Sequence, residues 1–431
     1  MKITVYTPIH KIIPEILDTL TSLENQTDKD FEWLILLNGG AKDKKSYLET
    51  KGFNKSWIKI HVAEETGNIG SLKGKCCDLI EDGICVELDY DDLLTEDAIE
   101  SIRFQFSSST FLKFLYSNSA QFKYESKDKI SSPVYGAQYG WQWRPYFSKQ
   151  LNIELNELIA FPSSPQYHAR IEWAANHVRA FRKDAYTEIG GYDKAIEVGD
   201  DHDLVCRFYK KFGEEGFKHL NKCIYLYRIH PDNTCNGSNR NKEIQIQVDK
   251  NYVNHSEDMY KRWAKDNGLL CIDLGGRFNS PDGYKSVDLL DADYIFDLEK
   301  KWDIEDNSVG VIRAYHLLEH LEDPIHFFNE AYRVLASGGF LLLEVPSMNC
   351  ADGGGAIADP THKKFFNTHS FSYYTNEQFA KYIRPQYTGY FQTRRLVEYW
   401  WSNPNIPIIS GHFIALKGEY KNRWAGERLM Q

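Results

Sequence analysis

Apolar strand candidates alternate with helical segments in two separate series along this chain, and this alternation constrains the fold more than any other feature. The eight strand candidates lie at 2–7, 31–37, 57–62, 84–88, 269–274, 284–289, 309–314 and 340–345. Strands that alternate with helices form a mainly parallel sheet with crossover helices. The sequence therefore predicts two successive α/β domains.

A polar helical segment separates the two series. Residues 251–266 read NYVNHSEDMYKRWAKD, and Gly268 follows as a helix stop signal. We therefore assign residues 1–250 to the first domain, 251–268 to a linker helix and 269–431 to the second domain. A chain of 431 residues has room for such domains of about 100–200 residues each.

Charge and cysteine content exclude several classes of protein. The net charge of −10 gives no broad positive field of the kind that nonspecific nucleic-acid binding needs. The eight cysteines form no CxxC pair, so we expect reduced thiols and neither a zinc ribbon nor a disulfide framework. No signal peptide and no apolar run of 18 residues is found. We expect a cytoplasmic protein without a transmembrane segment, located peripherally at the membrane, and the sequence does not indicate its oligomeric state.

Three carboxylates follow the fourth strand candidate directly. Asp89, Asp91 and Asp92 are placed where ligands bind in open parallel sheets, beyond the carboxyl end of a strand. Carboxylates this close repel one another unless a cation or hydrogen-bond donors neutralise them. A divalent ion, Mn²⁺ or Mg²⁺, that bridges to diphosphate oxygens meets this requirement. The alternative is an acidic turn that caps the next helix.

Six motifs in a consistent order make residues 1–235 resemble the family 2 glycosyltransferases, which have the GT-A fold. The motifs are Thr7-Pro8; Gly67-Asn68-Ile69-Gly70 with Lys75; Leu88-Asp89-Tyr90-Asp91-Asp92; Arg179-Ala180-Phe181-Arg182 with Ile189-Gly190-Gly191-Tyr192-Asp193; Gly199-Asp200-Asp201-His202-Asp203-Leu204; and Tyr227-Arg228-Ile229-His230. The resemblance implies a Rossmann-like mixed sheet and a nucleotide-diphosphate sugar as donor.

The resemblance also implies the donor and metal residues. The donor residues are Thr7, Pro8, Asn38, Asn68, Lys75 and Asp89. Asp91, Asp92 and His230 are the implied metal ligands, and an ordinary turn histidine is the alternative for His230. Asn38 stands where the family commonly has an acidic residue for the nucleoside, which weakens the case for uridine. A solvated surface role is the alternative for Lys75.

The catalytic and acceptor residues are implied in the same way. An acceptor hydroxyl needs a carboxylate to take its proton, and Asp201 is the first choice, with Asp200 second. By the family's pattern a single displacement inverts the anomeric carbon. Arg182 belongs to the acceptor-side segment, and Trp141 and Trp143 lie in a loop rich in glycine and aromatics at 135–146. These rings are suited to stacking on an acceptor, with packing beneath the loop as the alternative.

Residues 269–346 resemble the class I S-adenosylmethionine-dependent methyltransferases, which have a Rossmann-like fold. The motifs are Cys271-Ile272-Asp273-Leu274-Gly275-Gly276-Arg277; Ser286-Val287-Asp288-Leu289; Ala314-Tyr315-His316-Leu317-Leu318-Glu319-His320-Leu321; and Arg333-Val334-Leu335-Ala336-Ser337-Gly338-Gly339. The implied cofactor is S-adenosylmethionine, and its implied site consists of Asp273, Gly275, Gly276, Asp288 and His316. Asp288 would accept both ribose hydroxyls.

One residue of the second domain departs from its family. Arg277 stands where a small residue is expected, and it either blocks the cofactor pocket or redirects it to an anionic ligand. The domain is then either a methyltransferase or a noncatalytic scaffold that binds the acceptor or a partner chain. We expect capping and packing roles for His316, Glu319 and His320. His362 lies in no clear motif. The sequence therefore predicts no zinc site in this domain.

These observations together predict a metal-dependent, inverting glycosyltransferase that acts on a hydroxyl acceptor. The acceptor class is a glycan, and nucleic acid or protein is the alternative. The acidic net charge of −10 weighs against nucleic acid.

Overall fold

The computed structural model describes residues 1–64, 67–126, 129–137, 140–234, 240–349, 355–400 and 406–418. The chain divides into two compact units, Met1–Met259 and Tyr260–Gln431. This boundary falls inside the segment that the sequence predicts as a linker helix.

The first unit contains eleven strands within the described residues. They are β1 (Ile3–Ile9), β2 (Glu32–Leu37), β3 (Ile58–Val62), β4 (Ile84–Glu87), β5 (Leu93–Leu94), β6 (Phe114–Ser126), β7 (Lys129–Ser131), β8 (Gln142–Ser148), β9 (Ile153–Ile159), β10 (Arg179–Arg182) and β11 (Phe217–Arg228). Its helices are α1 (Ile16–Glu24), α2 (Lys45–Leu48), α3 (Ile69–Asp78), α4 (Ala98–Ser108), α5 (Pro165–His168), α6 (Lys183–Glu188) and α7 (Asp200–Phe212). The helix α8 (Asn241–Asp266) begins in this unit and ends in the second one.

The sheet of the first unit is mixed, with the order β3-β2-β1-β4-β10-β6-β11-β5. Strands β1 to β4 are parallel, whereas β10 runs antiparallel to both β4 and β6. All seven residues of β1 and all four of β4 are buried, as expected for central strands that are covered by helices on both faces. The predicted Rossmann-like mixed sheet is therefore confirmed, and it places the carboxyl ends of β1 and β4 side by side.

The second unit has a sheet of seven strands. They are β12 (Leu270–Leu274), β13 (Lys285–Asp288), β14 (Tyr294–Ile295), β15 (Val309–Tyr315), β16 (Leu335–Pro346), β17 (Phe391–Trp400) and β18 (Pro407–Ala415). Its helices are α9 (Pro324–Val334), α10 (Ser372–Thr375) and α11 (Glu377–Ala380). The order is β14-β13-β12-β15-β16-β18-β17, and the strands all run parallel except β18, which is antiparallel to both of its neighbours, β16 and β17. This is the Rossmann-like architecture that the sequence predicts.

Two further expectations concern the whole chain. No helix in the described part of the chain is long and apolar enough to cross a membrane. The six cysteines within the described residues are all free and buried, which agrees with the absence of a disulfide framework. The location of the protein in the cell stays a prediction.

Candidate active site

A cleft of about 230 Å³ lies at the carboxyl ends of β1 and β4. Seven of the residues predicted for the glycosyltransferase site line it together: Pro8, Asp89, Asp91, Asp92, Asp200, Asp201 and His230. They come from four segments that are far apart in sequence and meet because strand ends converge at this edge of the sheet. All the predicted metal and base residues thus share one cavity with two of the six predicted donor residues, Pro8 and Asp89.

The loop after β4 holds the three carboxylates in different environments. Asp92 is 1% exposed, and both of its oxygens accept hydrogen bonds, from the Tyr225 hydroxyl at 2.8 Å and from the Arg228 backbone N–H at 2.7 Å. Arg228 also donates through Nε to the Asp91 carbonyl at 2.7 Å and through Nη2 to Asp18 at 2.9 Å. Asp92 is therefore occupied in attaching the loop to β11.

Asp91 and Asp89 present their carboxylates to the cleft. His230 Nε2 lies 2.7 Å from Asp91 Oδ2, so the predicted histidine and carboxylate are adjacent. Burial, together with the nearby carboxylates of Glu87 and Asp91, raises the pKa of Asp89 to about 7. Among the described residues none donates a hydrogen bond to the Asp89 side chain. The carboxylates of Asp89 and Asp91 and the imidazole of His230 are ligand types that suit a divalent ion such as Mn²⁺, and such an ion would neutralise the two carboxylates.

Two buried cations balance the acids on the opposite side of the cleft. Lys73 Nζ lies 2.7 Å from Glu87 Oε1 and 3.5 Å from Asp200 Oδ2. Arg179 pairs with Glu87 at 3.0 Å and with Asp201 Oδ2 at 2.9 Å. Glu87 is central in this network, and although burial opposes its ionisation, Arg179 and Lys73 hold its pKa well below the usual range.

The two candidate bases differ in their electrostatic environment. Burial opposes the ionisation of Asp201, but Arg179 and Lys73 lower its pKa below the usual value. Burial and the neighbouring Asp201 raise the pKa of Asp200 to about 6, despite the opposing effect of Lys73. Both residues open α7, and the Asp200 Oδ2 atom accepts no hydrogen bond within the described part of the chain.

The lysine that α3 contributes to the cleft is Lys73, and the predicted Lys75 does not line it. A Cβ on Gly70 would come within 2.9 Å of Asp200 Cβ, so the glycine is needed for α3 to approach the start of α7. Lys73 follows Gly70 by three residues and lies on the same helix face, which directs it to Asp200. Lys75 is half-buried on another face and does not line the cleft.

Three further predicted donor residues do not line the cleft. Thr7 is fully buried, and its hydroxyl donates to the Leu88 carbonyl at 2.7 Å. Asn38 is 2% exposed, and its amide donates to the Ile9 carbonyl at 3.1 Å. Asn68 caps α3 with its side-chain oxygen. In the structure these polar groups are occupied in holding the loops that surround the cleft.

The structure places Arg182, which was predicted to contact the acceptor, outside the lining of the cleft. β10 runs antiparallel to β4, so Arg179 lies opposite the end of β4 at the cleft and Arg182 lies at the other end. Its guanidinium donates to the backbone carbonyls of Leu112, Phe106 and Ser109 at 2.8–3.0 Å. Arg182 therefore holds the end of α4 and is not available to an acceptor in the cleft.

The two predicted acceptor tryptophans also lie outside the lining of the cleft. Trp141 packs edge-on against Phe161 with ring centroids 4.7 Å apart. Trp143 donates through Nε1 to the Tyr135 carbonyl at 2.9 Å. Gln138 and Tyr139 of the same loop lie outside the described residues. These contacts match the packing alternative.

Glu172 and Trp173 line the cleft and were not predicted from the sequence. Burial and the neighbouring Asp201 raise the pKa of Glu172 to about 8, against the opposing effect of Arg179. Trp173 contacts Tyr227 edge-on, with ring centroids 5.3 Å apart. No motif surrounds this pair in the sequence, and only the folded chain brings it to the cleft.

The predicted cofactor edge of the second unit is filled by internal contacts. Asp273 is 1% exposed and accepts from Arg313 Nη1 at 2.8 Å and from the Ser280 hydroxyl at 2.9 Å. Gly276 packs so tightly that a Cβ there would lie 2.1 Å from Asp273 Oδ2. Gly275, with a φ of +76°, precedes it at the turn. Both oxygens of Asp273 are therefore engaged within the protein.

Arg277 lies beside the carboxylate that was expected to hold the cofactor ribose. Its Nε lies 3.5 Å from Asp288 Oδ1, the carboxylate expected to accept the ribose hydroxyls. His316 lies 3.6 Å from Glu319 Oε1, and this partner raises the pKa of the histidine. Because Asp273 and Asp288 both face arginines, the residues present do not fit S-adenosylmethionine.

Comparison with known proteins finds similar sequences for this chain. A family model described as a methyltransferase domain matches residues 283–343, a stretch that includes Asp288 and His316 but not the glycine loop. Chondroitin synthase of Escherichia coli is 25% identical over 257 residues, which make up 59% of this chain and 32% of that protein. Hyaluronan synthase of Pasteurella multocida is 24% identical over 252 residues, 58% of this chain and 22% of that protein. The chain thus spans about a third or less of these curated relatives.

Two solved structures with bound nucleotide sugars are also similar to this chain. S. aureus TarS in complex with UDP-GlcNAc aligns with a TM-score of 0.45 and 13% identity, over 62% of this chain and 72% of that chain. The mannosyltransferase PcManGT from Pyrobaculum calidifontis, in complex with GDP-Man and Mn²⁺, aligns with a TM-score of 0.38 and 10% identity, over 61% of this chain and 64% of that chain.

The sequence matches confirm both resemblances that the motifs indicate. The alignments with the two synthases are longer than the whole second unit, so they include part of the glycosyltransferase-like unit. The family model lies entirely in the second unit. The chain is a glycosyltransferase-like unit followed by a methyltransferase-like unit.

Proposed function

We propose that this protein is a metal-dependent, inverting glycosyltransferase that moves a sugar from a nucleotide-diphosphate donor to a hydroxyl of a glycan acceptor. The observation that carries the proposal is the single cleft in which Asp89, Asp91, His230, Asp200 and Asp201 meet. The names of the two similar curated proteins, which are synthases of chondroitin and hyaluronan, support a glycan as product.

Asp89, Asp91 and His230 would hold the metal ion. A bound divalent ion would neutralise the negative charge that grows on the departing diphosphate. Asp92, which the sequence placed among the ligands, has both oxygens engaged by β11, and we assign it the role of positioning the loop. The raised pKa of Asp89, about 7, indicates a carboxylate that a cation would stabilise in its charged form.

Asp201 would take the proton of the acceptor hydroxyl. Arg179 keeps Asp201 ionised and fixes its orientation through the 2.9 Å contact. Asp200 is the second candidate, because a pKa of about 6 makes it the stronger base at neutral pH and its Oδ2 accepts no hydrogen bond within the described chain. The two candidates predict different dependences of the rate on pH.

Trp173 and Glu172 would contact the acceptor. The flat face of an indole suits the apolar face of a sugar ring, and Trp173 is half-buried at the cleft wall. With a pKa of about 8, Glu172 is mainly protonated at neutral pH and is able to donate a hydrogen bond to a sugar oxygen. These two residues replace the predicted Trp141, Trp143 and Arg182.

A noncatalytic role is our proposal for the second unit. The contacts Asp273–Arg313 and Asp288–Arg277 engage the carboxylates that a methyl donor would need. A scaffold that binds the acceptor or a partner chain is consistent with this arrangement. A nucleic-acid acceptor is disfavoured, because the cleft carries a cluster of acids and the chain a net charge of −10.

A thermal-shift screen of nucleotide sugars, each with and without Mn²⁺, tests the proposal. A ligand at about 100 times its Kd stabilises the folded state by about 2.7 kcal/mol, so one donor is expected to raise the Tm only when Mn²⁺ is present. Asp91→Asn is expected to remove this shift. Asp82→Asn, which changes an exposed acid at the opposite end of β4, is the matched control. A donor shift that does not depend on Mn²⁺ would refute the metal site, and no shift with any donor would refute the proposed function.

A further inference from the structure

Three side chains of types that ligate metal ions converge in the second unit, next to the predicted cofactor residue His316, whose Nδ1 lies 3.6 Å from Glu319 Oε1. Glu319, His320 and His362 each offer one ligand atom, and these atoms lie within 4.8 Å of one another. Glu319 and His320 follow β15, at the carboxyl edge of the parallel strands, where ligands bind in open α/β sheets. His362 comes from a loop more than forty residues away in sequence, so only the fold unites the group.

Backbone contacts hold the His362 segment against the turn that carries Glu319. The backbone N–H groups of Lys363 and Lys364 both donate to the Glu319 carbonyl, at 2.8 and 3.0 Å. His362 Nδ1 lies 2.7 Å from the Ala356 carbonyl, which places the proton on Nδ1 and leaves the Nε2 lone pair for a ligand. A carbonyl partner of this kind is typical of histidines that bind metal ions.

The Glu319 carboxylate supplies a second, independent observation. Glu319 is 1% exposed, and its Oε2 accepts no hydrogen bond within the described part of the chain. A buried carboxylate oxygen without a partner is costly, and a coordinated cation removes that cost. The histidine rings beside it pack edge-on, with centroids 4.9 Å apart, and add nitrogen ligands on the same side.

We propose that Glu319, His320 and His362 form a binding site for a divalent transition metal ion such as Zn²⁺. Two imidazoles and one carboxylate are a common zinc donor set, and three protein ligands leave a fourth position for water or another small ligand. Tetrahedral coordination at about 2.0–2.2 Å brings ligand atoms to within about 3.5 Å of one another, so the side chains must close by about 1 Å.

Nearby groups complete the surroundings of this zinc site. Asp359 Oδ2 lies 3.7 Å from His362 Nε2 and adds negative charge next to the ion. His320 Nδ1 lies 3.3 Å from the Thr361 hydroxyl, which restricts the ring orientation. The proposal does not rest on glycosyl transfer, because it concerns residues of the other unit.

Zinc titration of the full chain tests the proposal. Asp91→Asn serves as the background, so that the first unit does not contribute the ion measured, and bound metal is removed beforehand with a chelator. Calorimetric titration with Zn²⁺ is expected to give one equivalent in this background. His320→Gln, His362→Gln and Glu319→Gln are each expected to weaken binding by more than about 100-fold, because even outer partners cost about 10–100-fold.

His369→Gln is the matched control, since His369 is exposed and lies outside the three-residue group. It is expected to keep the full stoichiometry and affinity. Circular dichroism of the metal-free variants separates loss of the site from loss of the fold, and the visible spectrum of bound Co²⁺ reports coordination by nitrogen and oxygen. Absence of zinc binding in the background protein, or equal binding by folded His320→Gln and His362→Gln variants, would overturn the proposal.

Discussion

Arg179 Nη1 lies 2.9 Å from Asp201 Oδ2 at the wall of the cleft, where the Arg179 side chain is 4% exposed and that of Asp201 13%. Because the guanidinium stabilises the charged carboxylate, the pKa of Asp201 is lowered, whereas that of its neighbour Asp200 is raised to about 6. Two adjacent acids at the start of α7 therefore carry different charge states in mildly acidic solution. This difference makes the choice of base measurable.

The pH dependence of the transfer rate is expected to identify the base. If Asp201 is the base, its low pKa keeps it ionised from about pH 5 upward, and kcat/KM stays flat there. If Asp200 is the base, kcat/KM falls as the pH drops through about 6. Asp201→Asn is expected to lower kcat by about 100-fold or more while the Kd of the donor stays the same. Loss of donor affinity in place of kcat would remove Asp201 from the role of base.

Lys73 is expected to be important for stability as well as for the site. Replacing it by Met takes the lysine partner from both Glu87 and Asp200, leaves Glu87 paired with Arg179 alone, and should cost about 3 kcal/mol or more. Lys75→Met changes the same residue type on another face of α3 and should cost less than about 0.5 kcal/mol. Urea denaturation of the two variants gives the comparison, and equal midpoints would contradict the buried network.

The same network predicts how stability responds to acid. The pKa of Glu87 is lower in the folded protein than in the unfolded chain, so its contribution is present above the unfolded pKa of about 4.3. This contribution is lost as the pH falls through the folded pKa. Lys73→Met weakens the stabilisation of ionised Glu87, and the variant should lose less stability than the parent between pH 5 and 2. Parallel stability curves for parent and variant would argue against this coupling.

His230→Ala is expected to weaken the dependence of donor binding on Mn²⁺. His230 Nε2 lies next to Asp91 Oδ2, so removal of the ring takes one ligand from the proposed ion. We expect the Mn²⁺ concentration for half-maximal donor binding to rise by about 10–100-fold. His61→Ala, at an exposed position at the end of β3, is the control and should leave it unchanged. An unchanged value for His230→Ala would exclude the histidine from the metal site.

S-adenosylmethionine is expected to give no thermal shift with the wild-type chain. Arg277 pairs with Asp288, and Arg313 pairs with Asp273, so neither acid is available to the ribose. A cofactor-dependent rise of the Tm would contradict this view and restore the methyltransferase. In Arg277→Ala, a shift that is absent from the wild type would assign the block to Arg277. If Arg277→Ala also shows no thermal shift, the block of cofactor binding is assigned to the Asp273–Arg313 pair.

The central parallel strands of both sheets are evident in the sequence because they are largely buried on both faces. The runs at 2–7 and 84–88 correspond to β1 and β4, in which every residue is buried. β6 is equally central but was not predicted, because Ser117, Asn118 and Ser119 are buried in it. Asn118 is satisfied by hydrogen bonds to Glu157 and other distant residues, which no local pattern reveals.

The sequence brings residues together where several ordered motifs converge, and it gives no sign of cleft residues that belong to no motif. Asp89, Asp91, Asp200, Asp201 and His230 share the cleft as the ordered motifs imply. The replacement of Lys75 by Lys73 could have been anticipated from helical phase, since Gly70 and Lys73 share a face. Trp173 could not, because its position depends on how a long irregular segment folds over the cleft.

The hydrogen bonds of Arg228 affect how tightly an ion would bind. Its backbone and side chain bond to Asp92, Asp91 and Asp18, and the chain reaches His230 two residues later. The carboxylate loop and the arm that bears the histidine are therefore joined before any ligand arrives. Because the loop is already ordered, its conformational entropy is lost during folding. Ion binding then carries only a small further entropy cost.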